Sequence, residues 1–174
     1  MPIQVLTGNV LDSNSESLLI TIDGTRRGME GNLARQFERR WPDDWQDMQR
    51  SIPYPVPLGH TIALDWDGDS PWSWYLIAST LHHLQVLSDA DKIAIVKRAF
   101  LDALNHCQRI RVRSLATSVM RGGWRLSMEE AFHAMIVAWN ASQAKHSGLN
   151  VKVYVLENEH QTSLEAQLSA YALR

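Results

Sequence analysis

The sequence predicts an α/β domain built on a mixed sheet with helices on both faces, and three observations predict it. Short aliphatic or β-branched runs recur along the chain, segments with helical apolar spacing lie between them, and two strand-to-helix junctions carry glycine. No Pro/Gly/Ser-rich stretch divides the 174 residues, so one domain spanning 1–174 is expected. A composition of 45% hydrophobic and 21% charged residues can bury a core large enough to offset the entropy of ordering the chain.

The elements follow in order. Ile3–Leu6 and Ser17–Ile22 are aliphatic runs ended by glycine-containing turns, and read as strands. Met29, Leu33, Phe37 and Trp41 recur at helical spacing, and Pro42 closes that helix. Residues 42–57 contain four prolines and read as a wrapped surface segment without a long helix. Thr61–Leu64 and Trp74–Ser79 read as strands around a turn-rich loop. Ser88 opens a helix with Asp91 as its capping partner, and Ile93, Val96, Phe100, Leu104 and Cys107 mark its apolar face. Val112–Val119 is the next strand, Ser127 with Glu130 caps another helix, and Val151–Leu156 is the last strand. Leu164, Leu168 and Tyr171 suggest a closing helix.

The totals narrow function mainly by exclusion. A net charge of −2 gives no general drive toward DNA or anionic lipid, so an anionic ligand must be held by local geometry. Cys107 is the single cysteine, which rules out an internal disulfide and a thiolate metal cluster, and fits a reducing, cytoplasmic setting. The start Met1-Pro-Ile-Gln lacks a basic segment followed by an apolar run. No stretch approaches the roughly 20 apolar residues of a spanning helix, so no membrane association is expected. Seven tryptophans are many for this length; Trp41, Trp45, Trp66, Trp72 and Trp74 fall in segments that read as irregular. They either pack under long loops or rim a cleft or an interface.

Two places could carry chemistry. Asp23-Gly-Thr-Arg-Arg-Gly-Met-Glu-Gly31 and Met120-Arg-Gly-Gly-Trp-Arg125 each join a strand to a helix through glycine. Such turns let backbone N–H groups and the positive end of a helix cradle an anion, and glycine permits the close approach of a diphosphate. Any α/β fold needs such junctions for steric reasons as well. Arg26, Arg27, Arg121 and Arg125 lie in the same two loops and could pair with phosphate oxygens, or simply be solvated. His82-His83 stands without a spaced His/carboxylate set, so no metal is expected. No GxSxG elbow, GxxxxGK[ST] loop or GxGxxG turn occurs, which disfavours serine hydrolases, P-loop enzymes and standard dinucleotide oxidoreductases; no cofactor is expected. Asp65, Asp67 and Asp69 alternate as in a calcium loop but lack the closing glutamate, and read as a solvated acidic loop.

Taken in order, these pieces resemble a macrodomain, the ADP-ribose-binding module, from about Ile3 to Leu156. Gly8-Asn-Val10 is similar to the Gly-Asp-Ile/Leu that receives the adenine amino group, with Asn9 in place of the acid. Leu18-Leu-Ile-Thr-Ile-Asp-Gly-Thr25 resembles the strand ending in Asn-Ala-Ala-Asn-Ser, with Gly24 where the family has the asparagine that holds the distal ribose. Gly28-Met-Glu-Gly31 resembles the first phosphate loop, and Arg121-Gly-Gly-Trp-Arg125 the second, one residue shorter, in which Trp124 could stack on a ribose.

The resemblance implies a three-layer α-β-α fold with a mostly parallel sheet. It implies binding of ADP-ribose or a related adenine diphosphate through Gly8, Asn9, Val10, Gly24, Gly28, Met29, Gly31, Arg121, Gly122, Gly123, Trp124 and Arg125. Glu30 occupies the slot of the aspartate thought to help activate a water in the hydrolytic branch. With Asp23 nearby, the two carboxylates are the candidate catalytic groups for removing ADP-ribose from modified protein or nucleic acid. Two other readings stand beside this one: a ligand-free protein-interaction module using exposed tryptophans, and a sensor of another NAD-derived nucleotide.

Overall fold

The computed structural model describes residues 3–25, 31–122 and 126–172. Strands β1 (Ile3–Thr7), β2 (Ser17–Asp23), β3 (Thr61–Asp65), β4 (Trp74–Leu81), β5 (Ser114–Ser118) and β6 (Asn150–Val155) form one sheet in the order β1-β6-β5-β2-β4-β3. All neighbours pair in parallel except β3, which runs antiparallel to β4. The expected mixed, mostly parallel sheet is what the chain forms.

The central strands are apolar at almost every position because both of their faces are covered. Alternate residues of β2 and β4 divide between two cores: Leu19, Leu76 and Ala78 enter the larger one, Leu18, Ile20, Tyr75 and Ile77 the smaller. The helices α3 (Asp89–Ile110), α4 (Met128–Ala141) and α5 (Asn158–Ala172) contribute Val96, Phe100, Leu104, Phe132, Met135 and Leu164 to the larger core. Helices α1 (Asn32–Arg40) and α2 (Pro42–Ser51) close the smaller core with Phe37 and Met48. The result is three layers, α-β-α. Each fully buried Leu, Ile or Phe contributes roughly 1.5–3 kcal/mol relative to exposure, so the two cores hold the sheet as a rigid platform.

Both helix starts marked by serine are capping boxes. The Ser88 hydroxyl accepts from Asp91 N at 3.1 Å while Asp91 accepts from Ser88 N, and Ser127 and Glu130 repeat the pattern. Strand β5 starts at Ser114, later than the Val112 expected. Arg111 takes the left-handed conformation (φ 60°) and Val112 N donates to Cys107 O, so residues 111 and 112 finish the α3 cap.

The segment 42–57 corrects the sequence reading. Helix α1 does end at Arg40, just before Pro42, but Pro42 also opens a second helix: it occupies the first turn of α2, where its missing N–H removes nothing, and Asp43 and Asp44 favour the helix's positive end. Only the stretch after Ile52 is irregular. The tryptophans are likewise more enclosed than their segments suggested. Trp72 is buried, Trp41 packs edge-on against it at 5.3 Å between ring centroids, and Phe37 lies within 6.3 Å of Trp41, Trp45, Trp72 and Tyr75. Trp41, Trp45 and Trp66 pack partly buried against the smaller core.

The acidic loop 65–71 is organised from beneath. Buried Asp44 accepts hydrogen bonds from Trp66 Nε1 (3.0 Å), Asp69 N (3.1 Å) and Ser70 N (2.8 Å). No helix among the described residues is long and apolar enough to cross a membrane.

Candidate functional site

The parallel strands β1, β6, β5, β2 and β4 all end on one edge of the sheet, the edge at which α/β folds open a crevice. A cleft of about 400 Å³ lies there, within the range of small-molecule sites. Its walls come from the ends of β2, β4, β5 and β6, the start of α1, and the turn after β1.

The turn after β1 is held by the backbone. Gly8 has φ 143°, a value that L side chains rarely adopt, and its N–H donates to Val155 O at 2.8 Å, tying the turn to β6. Asn9 caps the single-turn 3-10 helix Val10–Asp12: its Oδ1 accepts from Leu11 N at 3.0 Å, and its Nδ2 donates to Gln36 Oε1 of α1 at 2.6 Å. Gly8, Asn9, Val10 and Gln36 all line the cleft.

The first turn of α1 forms a further wall. Gly31, with φ 118°, is the N-cap and supplies no side-chain cap, and Gly31, Asn32 and Leu33 line the cleft. The N-cap residue thus leaves the first N–H groups of this helix without a side-chain cap, and the helix turns its positive end to the cavity. The α4 start differs, since Ser127 and Glu130 complete a capping box there. Beyond β5, Gly122 turns with φ 58°, and Arg121 donates from Nε to Leu126 O at 2.9 Å, which holds its guanidinium beside the cleft that it lines.

The end of β2 is the most constructed part. The register against β4 slips between Ile22 and Asp23, so that Asp23 pairs with Leu81. Such irregularities re-aim side chains at strand ends. Asp23 is buried, and its carboxylate accepts four hydrogen bonds. Thr25 N and Oγ1 reach Oδ1 at 2.9 and 2.6 Å, and His83 N and Nδ1 reach Oδ2 at 3.2 and 2.9 Å. Burial by itself raises the pKa of such a group, but the bonds from Thr25 and His83 outweigh it and hold Asp23 below the ordinary aspartate value. An acid held ionised with its lone pairs occupied is a weak proton acceptor and a strong orienting group for an imidazole.

Of the residues named from sequence, Gly8, Asn9, Val10, Asp23, Gly31, Arg121 and Gly122 come together around this one cleft. Gly24 does not line it. Its N–H donates to Leu81 O and its carbonyl accepts from Val56 N, and an added Cβ would sit 2.1 Å from Val56 O. Close packing requires that glycine. Gly28, Met29, Glu30, Gly123, Trp124 and Arg125 lie outside the described residues.

Sequence reasoning missed Gln36, Thr80, Ser118, Tyr154 and His160 in the walls. They are single polar or aromatic residues inside elements read for their apolar period, with no local signal to set them apart. His83 has no local signal for its bond to Asp23, 60 positions away; among the described residues no group of three or more His, Cys, Asp or Glu side chains could hold an ion.

No protein-family model matches the sequence, and no curated protein matches it. Solved structures do match in fold. The macrodomain of Mycobacterium tuberculosis DarG superposes with a TM-score of 0.70 at 18% identity, covering 87% of this chain and 96% of that one. The macrodomain of Thermus aquaticus DarG gives 0.67 at 23%, covering 89% and 97%. A variant of the Oceanobacillus iheyensis macrodomain solved with ADPR (ADP-ribose) gives 0.78 at 11%, covering 98% and 93%. The six-stranded sheet with helices on both faces is the macrodomain fold; at these identities the likeness is one of fold.

Proposed function

We propose that the cleft binds ADP-ribose or a related adenine diphosphate, free or attached to a protein or nucleic acid. The observation that carries this reading is the convergence of Gly8, Gly31 and Gly122, three positive-φ turns, with Arg121 and the start of α1, whose N-cap Gly31 brings no capping side chain, on a single cavity. Backbone N–H groups and a guanidinium around one space suit a diphosphate, whose charge the chain's net −2 would not attract unaided. Asn9 and Gln36 stand at the corner assigned to the adenine. Support also comes from the solved macrodomains of the same fold whose ligands are ADPR and ADP. The enclosure of Trp72 and the packing of Trp41, Trp45 and Trp66 weigh against a protein-interaction surface built from those rings.

Isothermal titration with ADP-ribose, with AMP and NAD as controls, tests the proposal. Micromolar binding of ADP-ribose is expected, weakened at least tenfold in Arg121→Glu, which puts a negative charge beside the diphosphate. Absence of heat with ADP-ribose overturns it.

A further inference from the structure

Resting on that reading of the ligand, we propose that the loop after β4 and the cavity behind it dock an apolar segment of a polypeptide that carries the ADP-ribosyl group, so that the carrier this surface fits is protein and not nucleic acid. Two cavities meet at this loop. Thr80 and Leu81, at the end of β4, line the cleft, and His82, Gln85 and Leu87 line a second cavity of about 530 Å³. Its other walls are Pro57 and Leu58 on one side and the α3 face carrying Ala94, Ile95 and Arg98 on the other.

Strand order decides which end of the ligand reaches the loop. The cleft runs across the ends of β1, β6, β5, β2 and β4, which are neighbours in that order. With the base at Asn9, just after β1, the terminal ribose lies toward β4. Whatever is joined to its anomeric carbon then leaves the cleft over residues 82–88.

That loop shows its apolar side chains to solvent. Among the described residues, the large hydrophobic side chains left exposed are Leu84, Val86 and Leu156, and all three lie just beyond strands that end at the edge where the cleft opens. Leu84 is 78% exposed. The imidazoles of the same loop are turned inward: His82 Nε2 bonds Val56 O at 3.0 Å, and His83 Nδ1 bonds Asp23 Oδ2 at 2.9 Å, while Gln85 N closes the turn on His82 O at 3.0 Å. This reverses the usual partition, in which Leu and Val are covered before His is. Because the loop is pinned at these points, little ordering entropy opposes docking on it, and exposed aliphatic side chains beside a cavity are the contacts such docking uses.

Charge selects the kind of partner. From Trp74 to Asp91, which covers β4, the loop and the start of α3, the chain holds no Lys or Arg but does hold Asp89 and Asp91. The cations that follow on α3 are engaged: Lys92 pairs with Asp89 at 2.6 Å, and Arg98 donates to Leu58 O at 2.7 Å. A phosphate backbone is held by cations along its path and meets none on this loop. A polypeptide with an aliphatic side chain beside its modified residue buries that side chain against Leu84, Val86 and the apolar walls of the cavity.

The test is calorimetry of the full chain with free ADP-ribose, with a short peptide that carries ADP-ribose through a hydrolysis-resistant link between flanking leucines, with the same peptide flanked by serines, and with an oligonucleotide carrying ADP-ribose through the same link. The leucine-flanked peptide is expected to bind wild type about tenfold more tightly than free ADP-ribose, as burial of one aliphatic side chain would give, and the other two carriers no more tightly than ADP-ribose itself. In the double variant Leu84→Asp, Val86→Asp that advantage should fall to about twofold or less, with affinity for free ADP-ribose within about twofold of wild type. Ala94→Trp, which fills the cavity from an exposed position on α3, should do the same. Equal affinity for the two peptides, an advantage that survives either variant, or an oligonucleotide held more tightly than the leucine-flanked peptide overturns the inference and leaves the binding proposal standing. A variant that loses free ADP-ribose as much as it loses the peptide overturns it too, since the loop then belongs to the cleft. Wild type that binds no ADP-ribose overturns both.

Discussion

Asn9 donates from Nδ2 to Gln36 Oε1 at 2.6 Å, and this bond sets the polarity of both amides at one corner of the cleft. Leu11 N can only donate, so Asn9 Oδ1 must face it. Nδ2 then faces Gln36, whose oxygen must answer, leaving Gln36 Nε2 as a free donor. Asn9→Asp keeps the acceptor for Leu11 N and offers a second oxygen to Gln36, which responds by turning its amide over. Folding stability should change by less than about 0.5 kcal/mol in urea denaturation. ADP-ribose should bind several-fold more tightly in calorimetry, because a carboxylate accepts from an adenine amino group more strongly than an amide does.

Asp44 makes a separate prediction about the 65–71 loop. Three donors converge on its carboxylate, and Gly68 lies so close that an added Cβ would come within 2.2 Å of Oδ1. Asp44→Ala leaves the Ser70 and Asp69 N–H groups and the Trp66 indole without an acceptor, a loss of about 2–3 kcal/mol. Urea denaturation reads that loss, and a shifted Trp66 emission in the folded protein reports that the loop has moved.

Acid should weaken the fold through the same two carboxylates. Burial would raise the pKa of Asp44, but hydrogen bonds from Ser70, Trp66 and Asp69 prevail and lower it; Asp23 is lowered by Thr25 and His83 against the same opposing burial. Each group therefore contributes stability that is complete above its unfolded value of about 3.9, and that disappears as pH falls through and below its lowered folded value. Stability should drop as pH goes from about 5 to 2. Asp44→Asn should make that drop shallower than in wild type. An equally steep acid limb in the variant would remove Asp44 from the account.

Cys107 sits on the α3 face against the sheet, 1% exposed, and burial pushes its thiol up to about 12. A thiol with no thiolate and no access is inert. Ellman's reagent should therefore react with the native protein only as fast as it unfolds, and at once in denaturant.

Much of this was legible in the chain. The apolar periods located all six strands, and the Ser88 and Ser127 boxes placed the starts of two helices to the residue, because period and cap are local chemistry. The glycine turns at Gly8, Gly31 and Gly122 were legible for the same reason: each meets a conformational demand of its own backbone. Helix α2 was not, because four prolines in 42–57 argue locally against a helix, whereas Pro42 fits a first turn and only the three that follow the helix break the chain.

Tertiary structure alone decided the rest. Gln36 reaches Asn9 across 27 positions, and His83 reaches Asp23 across 60. Neither bond has a local signature. It also decided that Gly24 is packed against Val56 away from the cleft, and that Asp23 is an orienting group with its lone pairs spent. The sequence by itself determined which segments become strands and helices and that their apolar faces require a covered parallel sheet. Which polar side chains meet at its edge was set by strand order and register, because hydrogen bonds act over about 3 Å and only the folded sheet brings distant residues that close.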